Sequence, residues 1–180
     1  MLKNLAFIFA VCVPQAAFAQ TCPMMTDTVD KNDSVFAELL KAPNEADGRA
    51  IGRQLWAIWV TAPDDDAQIL LDQGRKHIRT ADYEKAVEYF SALITYCPTY
   101  AEGWNQRAYA YFLSQKYDAA LDDIAKALDI EPRHFGALSG RAIVLISMGR
   151  PEIGYTALRE ALAIHPWLSE RHLLPQGDKI

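Results

Sequence analysis

Three observations predict an all-α solenoid of stacked helix pairs. Pro98, Pro132 and Pro166 stand 34 residues apart, and two sets of small residues keep the same period: Gly74, Ala108, Ala142 and Ala86, Ala120, Gly154. A large apolar residue follows each member of the second set four positions on, at Phe90, Ile124 and Leu158. A fixed period of this length means that one helix pair cannot bury its apolar face alone and leans on the next. Such stacks serve as binding surfaces.

The chain opens with Lys3, an apolar run from Leu5 to Val13, the helix breaker Pro14, and Ala17-Phe18-Ala19 ahead of Gln20. That order reads as a secretory signal peptide over residues 1–19, with cleavage expected after Ala19. The run is far short of the roughly 20 apolar residues a spanning helix needs, and no later stretch approaches that length. The expected location is the bacterial periplasm. A lipoprotein signal would want a small residue ahead of Cys22, and Thr21 stands there.

Loss of Lys3 with the signal leaves 17 basic against 23 acidic residues, a net charge of −6. This offers no electrostatic footprint for nucleic acid or anionic lipid, so neither nucleic-acid binding nor membrane insertion is expected. Cys12 leaves too, and the remaining pair, Cys22 and Cys97, can bridge in an oxidising compartment, tying the leading tail to the first repeat. The alternative is that both are ordinary core cysteines.

Residues 20–32 are polar and read as a flexible lead. Helical pattern begins near Asp33 or Ser34, and residues 33–66 form a hairpin. Val35, Phe36, Leu39 and Leu40 make one apolar face; Asn44 caps a second helix carrying Ile51, Leu55, Trp56 and Trp59 as far as Pro63. On the 34-residue grid this hairpin is a degenerate leading repeat whose large aromatics cap the stack. Binding by Trp56 or Trp59 is the other reading.

Three ungapped copies follow, at residues 67–100, 101–134 and 135–168. In the middle copy Trp104, Ala108 and Tyr111 fall at i, i+4 and i+7, as do Ala120, Ile124 and Ala127, so each set lines one helix face. Asp82 suits the start of a second helix, Gly149 the end of a first, and Pro151 a first turn. Residues 169–180 remain as a short C-terminal cap and tail. A poorly covered last repeat would expose apolar surface to a partner or a second subunit.

No catalytic, cofactor or metal site is expected. His77, His134, His165 and His172 lack ligand spacing; His77 reads as a packed ring, and His134 and His165 as solvated loop residues at repeat boundaries. Asp64-Asp65-Asp66 reads as capping charge at a helix start. No phosphate loop, nucleophile elbow or triad arrangement is present, so an enzyme is not expected.

The copies resemble the tetratricopeptide repeat family. The middle copy carries Trp104, Tyr111, Ala120, Ala127 and Pro132 where the family motif has the same residues, with Ala108 and Ile124 as close substitutes. The resemblance covers residues 67–168. It implies a right-handed superhelical solenoid of three helix pairs, here with an N-terminal helical hairpin cap. The departure lies at repeat position 7, where Gln73, Arg107 and Arg141 replace Leu; Asp123 can pair with either arginine.

In the resembled fold the first helices line a concave groove. It implies groove positions at Arg75, Arg79, Asn105, Tyr109, Phe112, Ser139 and Ile143, a mixed surface suited to a peptide or helix partner. One branch of the family clamps chaperone carboxylates with Lys, Asn and Asn, where this chain has Leu71, Arg75 and Gln106. That departure argues against the same ligand. Gly136 and Gly140, within one turn, imply a close approach by a neighbouring helix or a ligand. The expected function is therefore a non-catalytic protein-interaction module or scaffold. The alternative is a self-associating structural protein of the cell envelope, a homodimer through the C-terminal repeat.

Overall fold

The computed structural model describes residues 22–23 and 28–177. Eight α-helices run in order: α1 (Thr28–Leu39), α2 (Glu45–Trp59), α3 (Asp65–Arg79), α4 (Tyr83–Tyr96), α5 (Ala101–Leu113), α6 (Tyr117–Ile130), α7 (Phe135–Ser147) and α8 (Pro151–Ile164), closed by a short 3-10 helix, η1 (Ser169–Leu173). No strand occurs among the described residues. The signal-peptide reading falls on residues outside the description.

Each of α3/α4, α5/α6 and α7/α8 is one helix pair of the 34-residue period, and successive pairs stack. Small against large packing joins the pairs internally. A Cβ added at Gly74 would lie 2.3 Å from the Phe90 ring, so only glycine fits there. The helix starts are capped as the side chains allow: Asn44, Asp64 and Asp82 accept from the backbone N–H of Asp47, Ala67 and Lys85.

A second periodicity lies in the backbone. Ala81 (φ 56°), Gln115 (φ 60°) and Gly149 (φ 74°) occupy the same repeat position and all take the left-handed conformation that turns a first helix into a second. Only the third copy meets this need with glycine. The first two bear a Cβ cost of about 1 kcal/mol each.

The hairpin differs from the expected leading repeat in two ways. Helix α1 starts at Thr28, inside the stretch read as a flexible lead, and Asn32 is buried with its Nδ2 donating to Glu131 at 3.4 Å. The polar sequence concealed this because its partner lies 99 residues away. The hairpin also does not prolong the stack ahead of α3. Helix α2 instead crosses the repeat boundaries against the direction of stacking: Glu45 pairs with Arg171, Gly48 lies against Trp167, Gly52 against His165, and Trp56 against Phe135 and Gly136. At its far end the Trp59 carbonyl accepts from the Tyr100 hydroxyl at 2.5 Å.

The aromatics drive this placement. Trp59 is 7% exposed and stacks on the His134 ring, centroids 4.0 Å apart, while Phe36, Leu39 and Leu55 join Leu138, Leu158 and Leu168 in one core. Arg133 lies over the Phe36 ring at 4.4 Å and pairs with Asp33. Cys22 and Cys97 are bonded, with Cα atoms 5.1 Å apart, fastening the chain ahead of α1 to the end of α4. The last repeat is covered as a result. Leu168 and Leu174 are buried in the same core as Phe36 and Leu55, while Ile153 of α8 stays exposed.

Candidate functional site

The inner faces of α3, α5 and α7 enclose one concave cavity of about 540 Å³. Arg75 and Arg79 of α3, Asn105, Tyr109 and Phe112 of α5, and Ser139 and Ile143 of α7 all line it. Helical period places them there. Each is one or two turns along an inner face whose opposite side carries the small residues that pack on the partner helix.

The groove has a built floor. Glu102 is 1% exposed, and its carboxylate accepts three hydrogen bonds: from Gln106 Nε2 at 2.5 Å, Asn105 Nδ2 at 2.9 Å and His134 Nε2 at 3.0 Å. His134 Nδ1 accepts from the Ala137 N–H at 3.2 Å, which puts the ring proton on Nε2 and makes His134 both the donor to Glu102 and the cap of α7. Three donors offset the desolvation of one buried carboxylate. The network also fixes Asn105: with its Nδ2 committed to Glu102, its Oδ1 is left as an acceptor toward the groove.

His134 and His165 are therefore not solvated loop residues. They are 0% and 4% exposed, because α2 lies over the loops that carry them. Burial holds His165 below the ordinary imidazole range, and its Nδ1 accepts from the Trp167 N–H. His77 is a packed ring, stacked on Tyr89 at 5.3 Å and bonded to Asp82.

The arginines at repeat position 7 are structural. Arg107 grips Asp123 with two nitrogens, at 2.7 and 2.8 Å, and reaches Ser91 with a third. Arg141 pairs with Glu160 rather than Asp123. Neither lines the groove.

Gly136 makes room for a side chain from another element. A Cβ there would lie 2.5 Å from the Trp56 indole, which forms one wall of the cavity. Gly140 differs: its nearest neighbour would be Ile124 at 3.7 Å, an ordinary contact. Its missing methyl enlarges the groove instead. Trp56, offered by the sequence as a binding residue or a capping aromatic, also lines the cavity, as do Leu168, Ser169 and Glu170, which arrive through the docking of η1 and which no groove position of the repeat marks.

Residues 101–134 match the family model for the tetratricopeptide repeat. The fold is a tetratricopeptide-repeat solenoid. A TPR repeat-containing protein of Rhizobium etli is 28% identical over 170 residues, covering 86% of this chain and 83% of that protein. Small glutamine-rich tetratricopeptide repeat-containing protein 2 of Saccharomyces cerevisiae is 31% identical over 58% of this chain, which spans about a third (32%) of it. Among solved structures, the first TPR of Spaghetti bound to an HSP90 peptide superposes with a TM-score of 0.56, at 22% identity, over 58% of this chain and 82% of that one. In this TPR solenoid Leu71 is buried, Gln106 is committed to Glu102 and Arg75 lines the groove. The three positions that would form the chaperone clamp are thus occupied by a different arrangement.

Proposed function

We propose that the protein is a non-catalytic protein-interaction module, a scaffold of the bacterial periplasm that binds a peptide or helix in its concave groove. The observation that carries this is the convergence of Arg75, Arg79, Asn105, Tyr109, Phe112, Ser139 and Ile143 on one cavity, with a buried hydrogen-bond network fixing its floor. Arginines at one end suit carboxylates, the Asn105 carbonyl suits a backbone N–H, and Tyr109 and Phe112 suit apolar side chains. Tyr109 is 46% exposed, a large aromatic surface without an internal partner to cover it.

Support for an exported protein comes from the signal-like residues 1–19 and from the bonded Cys22 and Cys97, which an oxidising compartment would preserve. A peptide bound to a similar fold, as in the Spaghetti complex, supports a peptide as the ligand.

The test is photo-crosslinking in intact cells with the probe placed at Tyr109 or Ile143, followed by mass spectrometry. A partner captured from both positions, and lost on combining Tyr109→Ala with Arg75→Glu, is expected. Capture only from Ile153, which lies outside the groove, would sink the reading.

A further inference from the structure

The floor of the groove carries acceptor atoms that no described residue satisfies. Asn105 and Gln106, neighbours on α5 and each 8% exposed, line the cavity. Each gives its side-chain nitrogen to Glu102, at 2.9 and 2.5 Å, while Asn105 Oδ1 and Gln106 Oε1 have no donor among the described residues. Neither oxygen is sealed off, in contrast to Asn32 Oδ1, which is buried without a partner. Ser139 on α7, 5% exposed, turns its hydroxyl hydrogen back onto the Gly136 carbonyl and leaves lone pairs for a ligand.

Glu102 imposes this arrangement. A carboxylate accepts and never donates, so it draws the nitrogen of each amide to itself and leaves the oxygen for the groove. His134 adds a third donor as a neutral ring, so no cation stands against the buried charge. A ligand carboxylate laid on this floor would meet acceptors above a buried anion, and an ammonium would share the cavity with Arg75 and Arg79. Neutral N–H groups suit the floor best. A helix has none free along its length, because each is bonded to its own carbonyl four residues back. An extended chain keeps them free, and the one further N–H on each amide suits a carbonyl of the same chain.

We infer that the groove takes its ligand as an extended peptide, whose backbone N–H groups are accepted by Asn105 Oδ1 and Gln106 Oε1, and that Glu102 is the positioning residue that sets this polarity. The inference rests on the groove reading above and decides between its two ligands, an extended peptide and a helix. Glu102, 1% exposed, touches no ligand and acts only through the two amides it holds. Glu102→Gln would itself supply an N–H at that place. One of the amides would then turn its carbonyl inward and its nitrogen to the groove, and the floor would take a carboxylate instead.

The experiment uses the full chain with its disulfide intact and a pool of random ten-residue peptides, acetylated and amidated so that backbone groups and not chain termini are tested. Retained peptides are sequenced by mass spectrometry, and the strongest is remade with each backbone nitrogen methylated in turn. Methylation at one or two internal positions is expected to weaken binding about tenfold or more, with no helical signal gained in circular dichroism of the complex. In Gln106→Met one of those positions should become indifferent to methylation, an effect that general weakening of the fold does not produce. Glu102→Gln, checked for folding by thermal melting, should shift the retained set toward peptides with a further Asp or Glu. A folded Glu102→Gln whose set does not shift in that direction would overturn the role of Glu102; if that variant does not fold, the methylation pattern in Gln106→Met decides, and a pattern unchanged from the parent overturns the inference. Peptides indifferent to methylation everywhere, or helical when bound, would overturn it and leave the groove reading intact. Retention of no peptide, or equal retention by the protein carrying Tyr109→Ala and Arg75→Glu, would overturn the groove reading itself.

Discussion

The helix pairs from α3 to α8 and the hairpin α1–α2 are held by contacts of very different reach. Within the repeats the decisive contacts are local: Gly74 beneath Phe90, and Arg107 on Asp123, each 16 residues apart. The hairpin reaches much further, through Cys22 to Cys97 (75 residues), Asn32 to Glu131 (99) and Glu45 to Arg171 (126). A solenoid with nearest-neighbour contacts alone frays from its ends. A helix laid across three repeat boundaries opposes that: the Trp59 carbonyl holds Tyr100 at the first, Trp56 and Trp59 pack on His134 and Phe135 at the second, and Gly48 and Gly52 receive Trp167 and His165 at the third. The hairpin turns a string of local units into one cooperative structure, and it supplies a wall of the groove as well.

The comparison breaks most severely at Trp59. Trp59→Ala should cost about 3–5 kcal/mol, as much as truncating a core aromatic inside a repeat, when measured by denaturant unfolding with the transition still single. Trp59→Phe keeps the ring against His134 and removes an Nε1–H that has no partner, so it should cost far less. A loss below about 1 kcal/mol for the alanine variant would show that the hairpin merely decorates the repeats.

A smaller effect separates two glycines that look alike in sequence. Gly52→Ala forces a methyl to 2.3 Å from His165 Nε2 and should destabilise by about 1–3 kcal/mol despite better helix propensity. Gly140→Ala meets only Ile124 at 3.7 Å and should gain up to about 1 kcal/mol while narrowing the groove. Thermal melts of the two variants side by side sharpen the distinction between a glycine required by packing and one that shapes a cavity.

The smallest expected effect is that of pH. His165 is held low by burial in the folded chain, so the unfolded chain takes up the proton first as pH falls through about 6.5. Stability from this group is complete above that value and declines below it. His165→Gln should flatten the decline between pH 7 and 5. Asp64, held low by the Ala67 N–H and the Tyr96 hydroxyl, acts only further down, below the ordinary aspartate range near pH 4. An unchanged pH slope in His165→Gln would assign the decline to another group.

Much of the groove was legible because helical period is a one-dimensional signal. Once the phase of Pro98, Pro132 and Pro166 is known, the resemblance to the family implies that Arg75, Asn105 and Ile143 face the groove, and Asn44, Asp64 and Asp82 mark helix starts. The burial of His134 and His165 was not legible, because Trp56 and Trp59, which cover the first, and Gly52, which packs on the second, stand on another element. Nor was the role of Glu102, the buried acceptor that holds Asn105. The left-handed turns at Ala81 and Gln115 also escaped, since neither residue announces a positive φ.

The sequence by itself determined the repeating helix pairs and their caps, since these follow from contacts between residues less than one period apart, and its resemblance to the family pointed to the inner-face residues. Only the tertiary structure decided where α2 lies, which glycines receive Trp56, Trp167 and His165, and how the cap end of the groove is closed. Those contacts join residues up to 126 positions apart. Their partners are selected by shape and burial after the chain has stacked, and no spacing along the chain encodes them.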